Sequence, residues 1–339
     1  MKKKHLLGLV RIICLALILA TLLSSSAEAT IWKFVVSPSA STVTWAFWPN
    51  QRFQEMVEKA TGGQLKFETK LGLYSPAENL FAVMDGRADI GVQWTDFVSG
   101  TFPLWSYGGL PFFFHNPPFE FERAVNDPRM IRIMDKSFDK AGLINLIFTS
   151  SHNLDVVYAS KPISTIADFK GLKVRTSGLI PTYAMELLGA APLTIATSEI
   201  AEAMRRGTVD AVHTSHSFGL GTGLWDVAKF ASIWPVQPQY PVVVVVNKKS
   251  WNAISPQMQK IVKEVAKEFQ GQMFLAIDSN NKAARLALER ALKVTVPDPA
   301  EVEKAKRLTK PAIDKWVKIA GPEAAEVLAI CSEYASGAK

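Results

Sequence analysis

The feature that most constrains this chain is a joint that occurs twice. Gly86-Arg87-Ala88-Asp89 and Gly207-Thr208-Val209-Asp210 each set a glycine, a polar residue, a small apolar residue and an aspartate between a helical pattern and a strand pattern. Glycine supplies a left-handed turn that ends the helix without a Cβ penalty. Each joint closes a β-α-β-α-β segment. In the first, Ile31 to Val36 predicts a strand, and Trp45 to Ala60 a helix with Phe47, Trp48, Phe53, Met56 and Val57 as its apolar stripe. Leu65 to Thr69 predicts a strand, Glu78 to Asp85 a helix and Ala88 to Val92 a strand. In the second, the order is Leu172 to Arg175, Ile180 to Leu188, Pro192 to Ile195, Glu199 to Arg206 with Ser198 as N-cap, and Val209 to His213. One copy would carry little. Two predict an α/β protein built from two lobes of related design.

Val242 to Val246 is a run of five valines, too short for a helix of its own and suited to a strand buried on both faces. Ser255-Pro256 then opens a helix with Met258, Ile261, Val262, Val265 and Phe269 at helical spacing, and the pattern continues past Gly271 towards Lys293. A helix of that length exceeds what one domain usually needs, so it is expected to run along both lobes. Glu301 to Ala320 and Pro322 to Tyr334 predict two further amphipathic helices on the outside.

The N-terminus predicts export. Lys2, Lys3, Lys4 and Arg11 precede the apolar run Ile12 to Leu23, and Ala27-Glu28-Ala29 forms an A-x-A cleavage site. Residues 1–29 are therefore read as a cleaved signal peptide, with the mature protein in the periplasm. The leader holds four basic residues and one acidic one, so the mature chain carries only +4 of the net +7, and no run of basic residues is interleaved with aromatics, so nucleic-acid binding is not expected. Cys331 is the only cysteine beyond the leader. This excludes an intramolecular disulfide and a cysteine metal cluster in the mature chain.

Ligands of open α/β sheets bind beyond the carboxyl ends of strands. Gln93-Trp94 lies at one such edge, His213-Thr214 at another, and Arg175 ends its own strand. A planar guanidinium suits a carboxylate bidentately; a surface or lobe-stabilising salt bridge is the alternative role for Arg175. His213 and His216 lack the neighbours that would complete a metal site. No G-x-S-x-G elbow, H-E-x-x-H or phosphate loop is present, so neither catalysis nor a cofactor is expected.

The mature chain resembles the solute-binding proteins of tripartite ATP-independent periplasmic (TRAP) transporters, the DctP-like family. The similarity runs through Phe53 to Gly72 (FQEMVEKATGGQLKFETKLG), DGRAD at Asp85 to Asp89, Leu110-Pro111-Phe112, and Ile163 to Arg175 (ISTIADFKGLKVR). It continues through Leu188-Gly189-Ala190-Ala191-Pro192 and Ser198 to Asp210 (SEIAEAMRRGTVD). The resemblance implies a two-lobe periplasmic binding protein fold, type II-like, with the long helix crossing both lobes. Lobe I is expected from 30–152 plus about 241–280, and lobe II from 153–240 plus about 281–339.

It further implies an organic acid as ligand, the permease subunits of a TRAP transporter as partners, and Arg175 at the position that holds the substrate carboxylate. Where many members carry a second basic residue, this chain has His152 and Asp155; Thr214 replaces an amide, Thr197 an aromatic, and Trp94 a polar or acidic group. These departures predict a less polar pocket, unless Ser39 or Gln93 restores the polar contacts. Tyr240, before the valine strand, is a candidate for the hinge and the ligand. A ligand-sensing module, the binding protein of another transporter, and a periplasmic enzyme on the same fold stay as alternatives.

Overall fold

The computed structural model describes residues 28–37, 44–114, 119–151 and 154–335, with side chains at all of these except 44–49 and 154. The signal peptide reading, Ser39, His152 and the side chains of Phe47 and Trp48 lie outside what is described.

The first half of the chain forms β1 (Thr30–Val36), α1 (Thr44–Ala60), β2 (Leu65–Leu71), α2 (Glu78–Met84) and β3 (Ile90–Trp94). Two 3-10 segments, Thr95–Val98 and Pro103–Gly109, lead to α3 (Phe119–Val125), α4 (Pro128–Lys140) and β4 (Leu143–Ser150). The chain then crosses to the second lobe. There it forms β5 (Leu154–Ala159), β6 (Lys173–Arg175), α5 (Leu179–Leu187), β7 (Ala191–Leu193), α6 (Ile200–Arg205), β8 (Ala211–Thr214), α7 (His216–Gly221) and β9 (Phe230–Gln237). It returns through β10 (Pro241–Asn247) and α8 (Lys248–Ala253). The remainder is α9 (Pro256–Ala291), β11 (Lys293–Thr295), α10 (Pro299–Ile319) and α11 (Ala324–Ala335).

Two sheets result, β2-β1-β3-β10-β4 and β11-β9-β5-β8-β6-β7. Their orders correspond: second, first and third strand of each repeat, then a strand delivered by a crossing, then its partner. The crossing strands β10 and β5 run antiparallel to both neighbours, which makes each sheet mixed rather than purely parallel. All seven residues of β10 are buried, as its valine run requires. The paired crossings set Pro241 opposite Ser150 and Leu154 opposite Gln237, so the two linkers lie side by side as a hinge.

The duplicated joint has one physical basis in both lobes. Asp89 Oδ2 accepts the backbone N–H of Lys33 at 2.8 Å, and Asp210 Oδ2 accepts that of Lys173 at 3.0 Å. Their own N–H groups donate back to the carbonyls of Lys33 and Lys173 at 3.1 and 2.7 Å. The lysines complete the match, Lys33 Nζ donating to the Arg87 carbonyl at 3.2 Å and Lys173 Nζ to the Gly207 carbonyl at 2.6 Å. Gly86 and Gly207 take φ of +81° and +71°. This use of the aspartates moves the third strands later than expected: β3 is Ile90–Trp94, not Ala88 to Val92, and β8 is Ala211–Thr214, not Val209 to His213.

Two other expectations are corrected. Ser198 is not an N-cap; residues 197–199 form a 3-10 turn, and α6 starts with no side-chain cap hydrogen bond. The last helix, allotted to lobe II with 281–339, packs on α3 and α4 of lobe I. Arg129 pairs with Glu333 at 2.8 Å, and Tyr334 Oη donates to Asp127 at 2.9 Å. Meanwhile α10 bridges the lobes, lying against α5 while Trp316 Nε1 donates to the Pro103 carbonyl at 2.8 Å. The long helix α9, capped by Ser255 through the Met258 N–H, packs on α1 and β4 at one end and on α7 and β11 at the other.

Candidate functional site

Asp96, which follows β3, and Arg175, which ends β6, both lie within electrostatic reach of Tyr240, just before β10. Arg175, the last residue of β6, is 5% exposed, and its Nε donates to the Ile195 carbonyl at 3.4 Å. Among the described residues no carboxylate lies within 4.0 Å of its guanidinium. Burial pulls its pKa below the usual arginine value, and the nearby Tyr240 opposes that pull. Arginine stays protonated despite such a shift, so lobe II presents a buried cation with no acidic partner within 4.0 Å among the described residues.

Tyr240 is buried in the hinge beside it. Burial first, then the proximity of Asp96, raises its pKa; Arg175 and a hydrogen bond with Ser177 work against the rise. The backbone of Tyr240 ties the linkers together: its carbonyl accepts from the Ser151 N–H at 3.0 Å and from Ser151 Oγ at 3.2 Å. Trp94 Nε1 donates to the same Ser151 Oγ at 3.0 Å. Trp94 is thus buried at the end of β3 with its polar atom already engaged.

Lobe I contributes an acid that sequence reasoning missed. Asp96 follows β3, is 3% exposed, and accepts a short hydrogen bond from Gln237 Nε2 at the end of β9. Its Oδ1 has no hydrogen-bond partner among the described residues, and burial raises its pKa from 3.8 to about 7. Lobe II reaches this residue through the N-terminus of α5. Gly178 has φ of +87°, and a Cβ there would come within 3.0 Å of the Asp96 carboxyl. Next to it, the Leu179 N–H donates to Ser99 Oγ at 3.1 Å. These contacts bring the two lobes together over the hinge. The available signal was the pair of glutamines flanking Pro238 in Gln237-Pro238-Gln239-Tyr240, which are polar residues in an otherwise apolar approach to a core strand.

The remaining candidates divide. Thr214 is buried at the end of β8, opposite Val156 of β5. Asp155 faces His216, with Oδ1 and Nδ1 3.4 Å apart. Burial raises the Asp155 pKa and lowers that of His216, so the low-polarity setting favours the neutral forms of both. Thr197 opens the 3-10 turn before α6 and is half-buried. Gln93 does not restore polarity to a cleft. Its side chain accepts from the Leu80 N–H at 3.1 Å and donates to the carbonyls of Pro76 and Trp94. It anchors α2 to β3. Among the described residues no group of three or more His, Cys, Asp or Glu side chains is placed to hold a metal ion.

Two α/β lobes joined by crossing strands, with a buried cation and a buried acid at their junction, define a two-lobe solute-binding protein. The chain belongs to the DctP family, described as bacterial extracellular solute-binding protein, family 7, which matches residues 37–319. Among its relatives is the C4-dicarboxylate-binding periplasmic protein DctP of Rhodobacter capsulatus, 26% identical over 79% of this chain and 80% of that one. Another is the 2,3-diketo-L-gulonate-binding periplasmic protein YiaO of Escherichia coli, 24% identical over 64% of this chain and 66% of that one. The fold also matches DctP7, a Bordetella pertussis extracytoplasmic solute receptor binding pyroglutamic acid. That match has a TM-score of 0.82 at 20% identity, covering 89% of this chain and 99% of that chain. A TRAP periplasmic solute-binding protein from Roseobacter denitrificans with bound β-D-glucuronate superposes with a TM-score of 0.78 at 23% identity, covering 89% and 99%.

Proposed function

We propose that this protein captures an organic acid between its lobes, with Arg175 as the carboxylate partner, and delivers it to the membrane permease subunits of a TRAP-type transporter. The observation that carries this reading is the Arg175 guanidinium. It is almost fully buried, has no acidic partner within 4.0 Å among the described residues, and makes one 3.4 Å bond to a carbonyl. A buried charge without a partner is costly. A bound carboxylate removes that cost and satisfies the planar fork of donors. Tyr240, Trp94, Thr214 and Asp155 complete the surroundings in this reading, with Thr197 at the margin; Ser39 and His152 lie outside the described residues.

Binding closes the lobes about the paired linkers at Ser150–Pro241 and Leu154–Gln237, and α9 acts as a common spine. The acids in the relatives' names, a C4-dicarboxylate, a diketogulonate, pyroglutamate and glucuronate, all carry a carboxyl group, which supports the same choice here. The reaction is transport without catalysis, and the place of action is the periplasm, reached through cleavage after Ala29.

The direct test is to denature the purified protein and identify the released small molecule by mass spectrometry. A carboxylic acid released in near-stoichiometric amount is the expected result. A released molecule with no acidic group would contradict the reading.

A further inference from the structure

The helix that follows Arg175 is capped from the other lobe. The first N–H groups of a helix have no intrahelical partner. At the start of α5 the N-cap is Gly178, no side-chain cap hydrogen bond is made, and Pro181 has no N–H to satisfy. The Leu179 N–H instead donates to Ser99 Oγ of lobe I at 3.1 Å. The same hydroxyl donates to the Asp96 carbonyl at 2.7 Å, so Ser99 uses its donor and an acceptor at once. Ser99 is buried, and the residue it caps lies four positions after Arg175.

Two further observations fit the lobes to each other at this point. A Cβ on Gly178 would stand 3.0 Å from the Cβ, Cγ and Oδ2 atoms of Asp96, so a glycine is what lets the turn approach lobe I this closely. Behind the turn, Thr182 Oγ1 donates to the Gly178 carbonyl at 2.6 Å and lies 2.7 Å from Thr176 Oγ1. These bonds brace the short link from Arg175 to Gly178. The hinge linkers do not impose the contact. In the sheet of lobe II, β8 stands between β6 and the crossing strand β5, so the start of α5 is carried to Ser99 by the setting of one lobe against the other.

We propose that Ser99 is a positioning residue for ligand capture: by capping α5 across the lobes it forms a clasp that fastens the closed arrangement. The clasp is made when the lobes close and is lost when they open, which returns the Leu179 N–H to water. Arg175 and the clasp share one braced link, so an anion that fixes the guanidinium also fixes the donor side of the clasp. The inference rests on the lobe closure of the proposed function and adds the contact that holds it.

The test is the distribution of lobe separations in the intact protein as purified, read by electron–electron double resonance between spin labels at Lys66→Cys in lobe I and Lys170→Cys in lobe II. Both positions are exposed, and Cys331 is buried. With Ser99 present, a closed population is expected, together with slow hydrogen exchange at the Leu179 amide. Ser99→Ala should lower the ratio of closed to open protein about fivefold, the fold-change equivalent to ~1 kcal/mol for one hydrogen bond. Ser99→Thr keeps the hydroxyl and should restore the ratio. Gly178→Ala should open the lobes further; if it does not fold, the two Ser99 variants decide. A Ser99→Ala protein that melts lower but keeps the same distribution has lost a local cap only, and this overturns the proposal. So does a distribution without a closed population when Ser99 is present. Either failure leaves the organic-acid reading standing, whereas release of a molecule with no acidic group on denaturation overturns that reading whatever the lobes do.

Discussion

The two lobes share a joint and differ at their strand ends. At the joint, Asp89 and Asp210 do the same work: each carboxylate holds the N–H of a lysine in the first strand of its repeat, and each lysine reaches back to a turn carbonyl. At the carboxyl edge the lobes present opposite chemistry. Lobe I ends β3 in Trp94 and a buried acid, Asp96, while lobe II ends β6 in a buried base, Arg175. Backbone geometry is maintained where chain direction must be fixed, and side chains diverge at the strand ends. Among the described residues Asp96 and Arg175 do not form an ion pair with each other, and both act on Tyr240. The hinge glutamine engages one oxygen of the acid, and the base has no carboxylate partner within 4.0 Å among the described residues.

The largest expected effect on stability comes from the acid. The folded protein keeps Asp96 protonated up to about pH 7, whereas its ordinary value is 3.8. Folding therefore retains a proton that the unfolded chain releases. The corresponding stability is complete below pH ~4 and is lost as pH rises through 7, by roughly 4 kcal/mol in all. Asp96→Asn cannot ionise and keeps an acceptor for Gln237. Relative to wild type it should gain stability steadily between pH 4 and pH 8 in urea titrations. A difference that stays flat with pH would show that Asp96 is hydrated, through opening of the lobes.

The shared joint predicts a smaller, paired effect. Asp89→Ala and Asp210→Ala should each lose about 1.5–3 kcal/mol, the range for hydrogen bonds to a charged group. Asp89 should sit at the upper end, because it also accepts from Ser250 Oγ at 2.6 Å, while the Asp210 side chain is 40% exposed. A larger loss at Asp210 would break the equivalence of the two joints. Smaller still, Gly86→Ala and Gly207→Ala should each cost about 1–2 kcal/mol and nearly the same amount. Both have positive φ, and an added Cβ would meet nothing closer than 3.8 Å. Thermal or urea denaturation of the pair measures the backbone term alone.

The joints were legible in the sequence because they rest on local chemistry: a left-handed glycine, then an aspartate at a fixed distance. The valine strand and the helix from Ser255 were legible for the same reason. The strands β4, β5 and β9 and the helices α3 and α4 were not. Their assignment depends on pairing across the hinge, as when Val157 meets both His213 and Ser232. The site was half legible. Arg175 ends a strand predicted from the repeat, but Asp96 lies two residues beyond Trp94, where β3 ends, and four beyond Val92, where the sequence pattern ends it, and it is packed by Gly178 and Gln237 from distant parts of the chain. The destination of the last helix was also beyond local pattern, since it is fixed by Glu333 and Tyr334 meeting Arg129 and Asp127.

The measurement that bears most directly on the central claim is calorimetric binding of the co-purified ligand to wild type and to Arg175→Ala. Removing one partner of a buried charged pair should weaken binding by roughly 2–5 kcal/mol, with Asp96→Asn binding the same ligand far better than Arg175→Ala does. Arg175→Ala binding within a few-fold of wild type would contradict the assignment of Arg175 as the carboxylate partner.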